Sequence, residues 1–190
     1  MDKQRLIVGI SGASGIVYGI RLLQALQATS IEVHLVMSKS AELTLGLETD
    51  WQAADVKALA DHVHPIKNIG ASIASGSFPT MGMVIAPCSV RTMSEVSSGV
   101  TSTLLTRAAD VVLKERRKLV MMVRETPFHT GHLRTMTNLS EMGAIIAPPL
   151  PAFYAKPQSV EDIVDHSVGR ILDLFDIDNS LVTRWGFSGG

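Results

Sequence analysis

A single cysteine, Cys88, stands among 190 residues. No internal disulfide is possible, and a chain that relies on none is expected in a reducing cytoplasm. Long apolar runs are missing as well. No stretch reaches the roughly 18 apolar residues of a membrane-spanning helix, so no membrane span is expected. In the opening MDKQRLIVGISG, charge precedes an apolar run too short for a signal-peptide core. Neither sign of charge dominates: 17 Lys and Arg face 18 Asp and Glu, a formal net charge of −1. Nucleic-acid binding, which leaves a basic excess, is not expected. The six histidines lack metal-ligand spacing. His129 and His132 are three apart but have no carboxylate companion, so no metal is assigned. Internal repeats and low-complexity tracts are absent. So is the dinucleotide fingerprint G-x-G-x-x-G: in VGISGASG, Gly9, Gly12 and Gly15 follow G-x-x-G-x-x-G instead.

What is present describes an ordinary globule, 46% hydrophobic and 18% charged, and its length suits one domain over residues 1–190. The apolar surplus and the nine methionines fit either buried subunit contacts or a tightly packed α/β core. Apolar strands are expected at Arg5–Ile10, Ile31–Ser38, 81–87, Lys118–Arg124 and 143–148. Helices are expected at Gly15–Gln27, 41–48, Ser89–Ser98, Leu104–Lys114 and Thr130–Met142. A further helix, Trp51–Ala60, is expected to be capped by Asp50. Residues 62–80, with Pro65, Gly70, Gly76 and Pro79, read as a long functional loop or connector. After the proline-rich PPLPAFYAKP, Ser159 and Asp162 form a capping box ahead of a last helix bearing Val164, Val168, Ile171 and Leu172.

Strands and helices alternate, and the strands are apolar throughout. This predicts a three-layer α/β fold, a parallel sheet with helices on both faces. Ligands of such sheets bind at the carboxyl ends of the strands. Those ends read SGASG, MSKS, PCSVRT, RETP and PAFY. The first turn lets backbone N–H groups approach an anion at a helix start, or else is a tight turn that binds nothing. Ser11, Ser14 and Ser38 are candidate ligand hydroxyls or helix caps. Ser89 and Thr92 offer a second anion-tolerant helix start, or an ordinary cap. Arg124 suits phosphate because its planar fork binds two oxygens, although a surface pair with Glu125 is the plainer reading. Lys114 lies in a basic helix end and Arg170 at the edge of an apolar stripe, where snorkelling is common. Cys88, with no suitably placed His, reads as a small core residue rather than a nucleophile.

Taken in order, RLIVGISGASG, VHLVMSKSA, LETD, ASGSF, PCS, RAADVVLKERRKLV, RETP, HLRTMTNLSEMGA, PPLPAFYAKPQSVEDIVDHSVGRILD and RW span nearly the whole chain. Together they resemble the flavin prenyltransferase family of the UbiX/Pad1 type, enzymes once described as aromatic acid decarboxylases. The resemblance implies a flavodoxin-like or Rossmann-like flavoprotein that assembles as a homo-oligomer, typically a dodecamer, with FMN between subunits. It implies transfer of a dimethylallyl group from dimethylallyl monophosphate to N5 and then C6 of reduced FMN, without a metal. The prenylated FMN would serve a UbiD-type decarboxylase, in ubiquinone synthesis or in phenolic-acid breakdown.

Carried over by motif, FMN would contact Gly12, Ala13, Ser14, Ser38, Ser89, Val90, Arg91, Thr92 and Arg124. The substrate phosphate would be held by Lys114, Arg124, Glu125, Tyr154 and Arg170, some of them from a neighbouring subunit. Ser14 and Glu48 would form a hydroxyl–carboxylate relay near N5, with Lys114, Glu125 and Trp185 completing the catalytic set. The tail, about residues 176–190, would pack on a neighbouring subunit. Two stretches depart from the family's usual wording, Arg91 within PCSVRT and the segment SEVSSGVTSTLL. Competing readings are a flavin carrier or accessory subunit of a decarboxylase, and an FMN-dependent cysteine-decarboxylase-like enzyme. The second is expected to carry PASANT where this chain has PCSVRT.

Overall fold

Six strands form one all-parallel sheet in the order β3-β2-β1-β4-β5-β6. A computed structural model of the chain describes residues 4–182 and Arg184. The strands are β1 (Arg5–Ile10), β2 (Glu32–Met37), β3 (His62–Val63), β4 (Gly82–Cys88), β5 (Lys118–Val123) and β6 (Ala144–Ile146). The helices are α1 (Ile16–Gln27), α2 (Lys39–Glu48), α3 (Ala53–Lys57), α4 (Val90–Ser97), α5 (Leu104–Lys114), α6 (Thr130–Glu141) and α7 (Val160–Asp173). The described chain falls into two units, divided between Pro148 and Pro149, with the sheet in the first.

The apolar runs explain the sheet's position. Every residue of β4 is buried, and β1, β2 and β5 each expose only their first residue in part or in full. Strands sealed on both faces need helices on both faces. Right-handed crossovers, the rule for parallel strands, send the connections on either side of β1 to opposite faces. One face holds Ile7, Val36, Met83 and Ile85 of the sheet against Met93, Leu105 and Ala109 of α4 and α5. Ile73, from a short 3-10 turn at Ser72–Ala74, closes the same core.

The chain direction reverses across the sheet between β1 and β4. This is the switch point at which open α/β sheets place their ligands. The order is the Rossmann one. Without the two-residue β3 it becomes the flavodoxin order 2-1-3-4-5, so the fold is flavodoxin-like with one added edge strand.

Three local expectations need correction. Residues 62–80 are not simply a loop, because His62 and Val63 pair with His34 and Leu35. Two residues carry no readable periodicity, and the neighbouring strand supplies the register. Asp50 does not cap α3. Gln52 does, reciprocated by Asp55, so the helix starts at Ala53 and stops at Lys57. Ser11 is a bridge between turns, described below. The Ser159–Asp162 capping box of α7 is present as expected.

The amino ends of β1, β2 and β3 gather a polar cluster away from the switch-point turns. Arg5 Nε lies 2.9 Å from Glu32 Oε1, and the guanidinium sits over the Phe78 ring. Burial holds His34 and His64 below the ordinary imidazole range, so both are neutral at pH 7.

Candidate functional site

The turns after β1 and β4 are tied together by Ser11. Its hydroxyl donates to Pro87 O at 3.0 Å and accepts from Ser89 N at 2.8 Å. Ser11 is 1% exposed and fully used, so it braces the switch point rather than meeting a ligand. Gly12 follows where a Cβ would overlap Ser40. Only glycine lets the first turn come this close to α2. Gly15, with φ 96°, then starts α1 in the left-handed region and has no side chain to cap it.

Glu48, the last residue of α2, supplies the missing cap. Its Oε2 accepts from Gly15 N at 2.9 Å and from Ile16 N at 3.1 Å. The Ser14 hydroxyl donates to the same carboxylate. Burial alone would raise this carboxyl's pKa. The three hydrogen bonds and the Arg124 charge outweigh it and hold Glu48 below the usual carboxylate range. The structure therefore places the expected Ser14–Glu48 pair in contact, with Arg124 in electrostatic reach. Tyr18 shares that neighbourhood: burial raises its phenol and Arg124 opposes the rise.

A groove of about 460 Å³ opens along the switch point. Gly12, Ser38, Ser89, Val90, Arg91 and Thr92 all line it, six of the residues expected to contact flavin. Two helices begin there. Ser38 Oγ caps α2 by accepting from Ala41 N at 3.0 Å, and Ser89 Oγ caps α4 by accepting from Thr92 N at 3.2 Å. Both serines are thus caps, and each leaves earlier amides of its helix without an intrahelical partner. Two helix N-termini and the nearby Lys39 and Lys67 make the groove suited to an anion. Its volume falls in the range of small-molecule sites. Neither Lys39 nor Lys67 is among the residues expected from the sequence. The MSKS string held a signal for the first, whereas Lys67 reaches the groove only through the folding of the 64–71 loop.

Arg124 and Glu125 stand at the end of β5, anchored by Arg124 N donating to Cys88 O at 3.1 Å. Glu125 Oε1 accepts from Thr126 N at 2.9 Å. Arg91 pairs with Glu95 at 2.9 Å along the exposed face of α4. Lys114 is elsewhere. It ends α5, pairs with Glu115, and lies near Gly76 beside the amino end of β5. Six strand steps, about 20 Å, separate that end from Arg124. One chain does not bring Lys114 to the groove.

In the second unit, Tyr154 Oη lies 3.0 Å from His166 Nε2, and Arg170 pairs with Asp173 at 2.8 Å. Trp185 lies outside the described residues. Cys88 is fully buried, and burial pushes its thiol far up, which fits a core residue. The His129 and His132 rings stack at 3.6 Å, while His129 Nδ1 accepts from Gly131 N and caps α6.

These turns are those of a known group. Residues 1–172 match the Flavoprotein family. The flavin prenyltransferase UbiX of Escherichia coli K12 is 59% identical, over 96% of this chain and 98% of that protein. The chain belongs to the flavin prenyltransferase family of the UbiX/Pad1 type. Solved structures of the family superpose closely. AnUbiX (PadA1) in complex with FMN and dimethylallyl pyrophosphate is 49% identical, with a TM-score of 0.95 over 96% of this chain and 97% of that one. A dodecameric FMN-dependent UbiX-like decarboxylase from Escherichia coli O157:H7 is 50% identical, with a TM-score of 0.94 over 96% and 99%. Membership favours a prenyltransferase over a flavin carrier or a cysteine-decarboxylase-like enzyme. No helix among the described residues is long and apolar enough to cross a membrane.

Proposed function

We propose that this member of the family transfers a dimethylallyl group from dimethylallyl monophosphate to reduced FMN, making prenylated FMN for a UbiD-type decarboxylase. The observation that carries this reading is the groove at the β1–β4 switch point. There Gly12 lets the β1 turn pack closely against the start of α2, and two helix N-termini favour an anion. Reduced FMN would supply the N5 nucleophile, which loses its proton as the donor's C–O bond breaks and phosphate leaves with that bond's electrons. Ring closure at C6 would then consume the prenyl C=C bond, which gains a proton while C6 loses its own.

The residues have separable tasks in this reading. Gly12, Ala13, Ser14, Ser38 and Ser89–Thr92 bind and orient the flavin. Ser14 and Glu48 manage the proton of N5, the ionised carboxylate accepting through the serine hydroxyl. Arg124, Lys114, Tyr154 and Arg170 hold and neutralise the departing phosphate, with Glu125 positioned among them. Lys114 comes from a neighbouring subunit of a homo-oligomer, a dodecamer as in the Escherichia coli neighbour. Trp185, carried over from the family resemblance alone, would offer an aromatic face suited to allylic positive charge. The chain works as a single flavoprotein domain in the cytoplasm.

Purified protein given reduced FMN and dimethylallyl monophosphate without air should yield a flavin heavier by one prenyl unit in mass spectrometry. Recovery of FMN at unchanged mass, with the monophosphate and with the pyrophosphate, would refute the reading.

A further inference from the structure

The histidines that show no metal spacing along the chain acquire one across the sheet. Glu32 and His34 are two apart on β2, so they project to the same face. Parallel pairing sets His62 of β3 beside His34. One ligand atom from each of Glu32, His34 and His62 lies within 4.8 Å of the others. His34 Nε2 is 3.0 Å and His62 Nε2 is 3.7 Å from Glu32 Oε1. Donors on a tetrahedral zinc, with bonds near 2.0–2.1 Å, stand about 3.3 Å apart. The two observed spacings straddle that value.

A supporting contact is also in place. His34 Nδ1 lies 2.9 Å from His64 Nε2, and their rings stack with 5.2 Å between centroids. Without an ion His34 Nε2 shares its proton with Glu32; with an ion bound, the ring proton sits on Nδ1 and is donated to His64, which frees the Nε2 lone pair. Metal-binding histidines are usually held by such a partner. Phe78 packs edge-on against His34, with 5.1 Å between ring centroids. The His34 side chain is 5% exposed and Glu32 15%, whereas His62 is 52% exposed and leaves the site open to solvent.

We propose that Glu32, His34 and His62 bind a divalent transition-metal ion of the zinc type, with water in the fourth position and His64 as the positioning residue. The donor set of two imidazoles and a carboxylate suits Zn²⁺ better than the oxygen-seeking Mg²⁺ or Ca²⁺. Arg5, 2.9 Å from the same carboxylate, competes with the ion and weakens the site. The ion replaces the proton that His34 and Glu32 share, and it clamps the two-residue β3 to β2. The site sits at the amino ends of the strands, so its role is to hold the sheet edge and it takes no part in prenyl transfer.

The test uses full-length protein treated with chelator and then titrated with Zn²⁺ in a calorimeter. One ion per chain is expected, along with a rise in melting temperature. Mg²⁺ should produce neither. His62→Gln, a change at an exposed side chain, should weaken Zn²⁺ binding by about 10-fold or more and abolish the thermal shift. Glu32→Gln should do the same, and His129→Gln, at the remote stacked pair, should leave both intact. Absence of stoichiometric binding in the parent would overturn the proposal. So would full-strength binding in both His62→Gln and Glu32→Gln, or loss only with His129→Gln.

Discussion

At the scale of single residues, the proposed reaction gives Glu48 a chemical task beside its structural one. It caps α1 through the Gly15 and Ile16 amides and takes the Ser14 hydroxyl. Glutamine can still accept those amide bonds through its carbonyl but cannot take a proton. Glu48→Gln should therefore bind FMN in a fluorescence titration while product formation falls by about 10²-fold or more. Turnover at the parental rate would remove Glu48 from the proton path. The carboxyl also carries a pH signature. Its folded pKa lies below its ordinary 4.5, so its contribution to stability is present above pH 4.5 and is lost as pH falls through the folded value. Urea midpoints of Glu48→Gln should accordingly fall less steeply below pH 4.5 than those of the parent.

At the scale of elements, helix starts are what build the groove. Ser38 and Ser89 satisfy one amide each and orient α2 and α4 toward the space between β1 and β4. Ser159 makes the same cap on α7, in the second unit, and is not among the residues lining the groove. Replacing either Ser89 or Ser159 by alanine should cost about 1 kcal/mol in urea denaturation, the usual price of a lost cap. Only Ser89→Ala should also weaken FMN binding, because only Ser89 lines the groove. Equal FMN affinity in the two variants would reduce Ser89 to a cap alone.

The whole molecule poses a problem that no single chain resolves. Lys114 and Arg124 are assigned to one phosphate, yet they stand at opposite ends of β5. In the proposed reading assembly resolves this, with a neighbour presenting its α5 end to this chain's groove. Leu43 and Leu47, one turn apart on α2 and 72% and 87% exposed, leave apolar surface of the kind subunit contacts bury. Lys114→Ala and Arg124→Ala should each be inactive alone. Unfolded together and refolded as mixed oligomers, they should recover part of the parental prenylation rate, because some sites receive both intact residues. No recovery in verified mixed oligomers would place Lys114 and Arg124 in the same chain's site or in no shared site.

The sequence by itself determined the parallel α/β sheet, because apolar strands alternating with amphipathic helices can be buried in few other ways. It also determined part of the groove's lining. Gly12, Ser38 and Ser89–Thr92 sit immediately after strands, where chain position and ligand position coincide. The contact of Ser14 with Glu48 was readable only through the family resemblance, since 34 positions of chain separate them. Tertiary structure alone decided what depends on neighbours across the sheet or across subunits. The Ser11 hydroxyl's partners come from the β4 turn, and β3 takes its register from β2. Glu32, His34 and His62 converge for the same reason: strand pairing joins residues that no local spacing can connect.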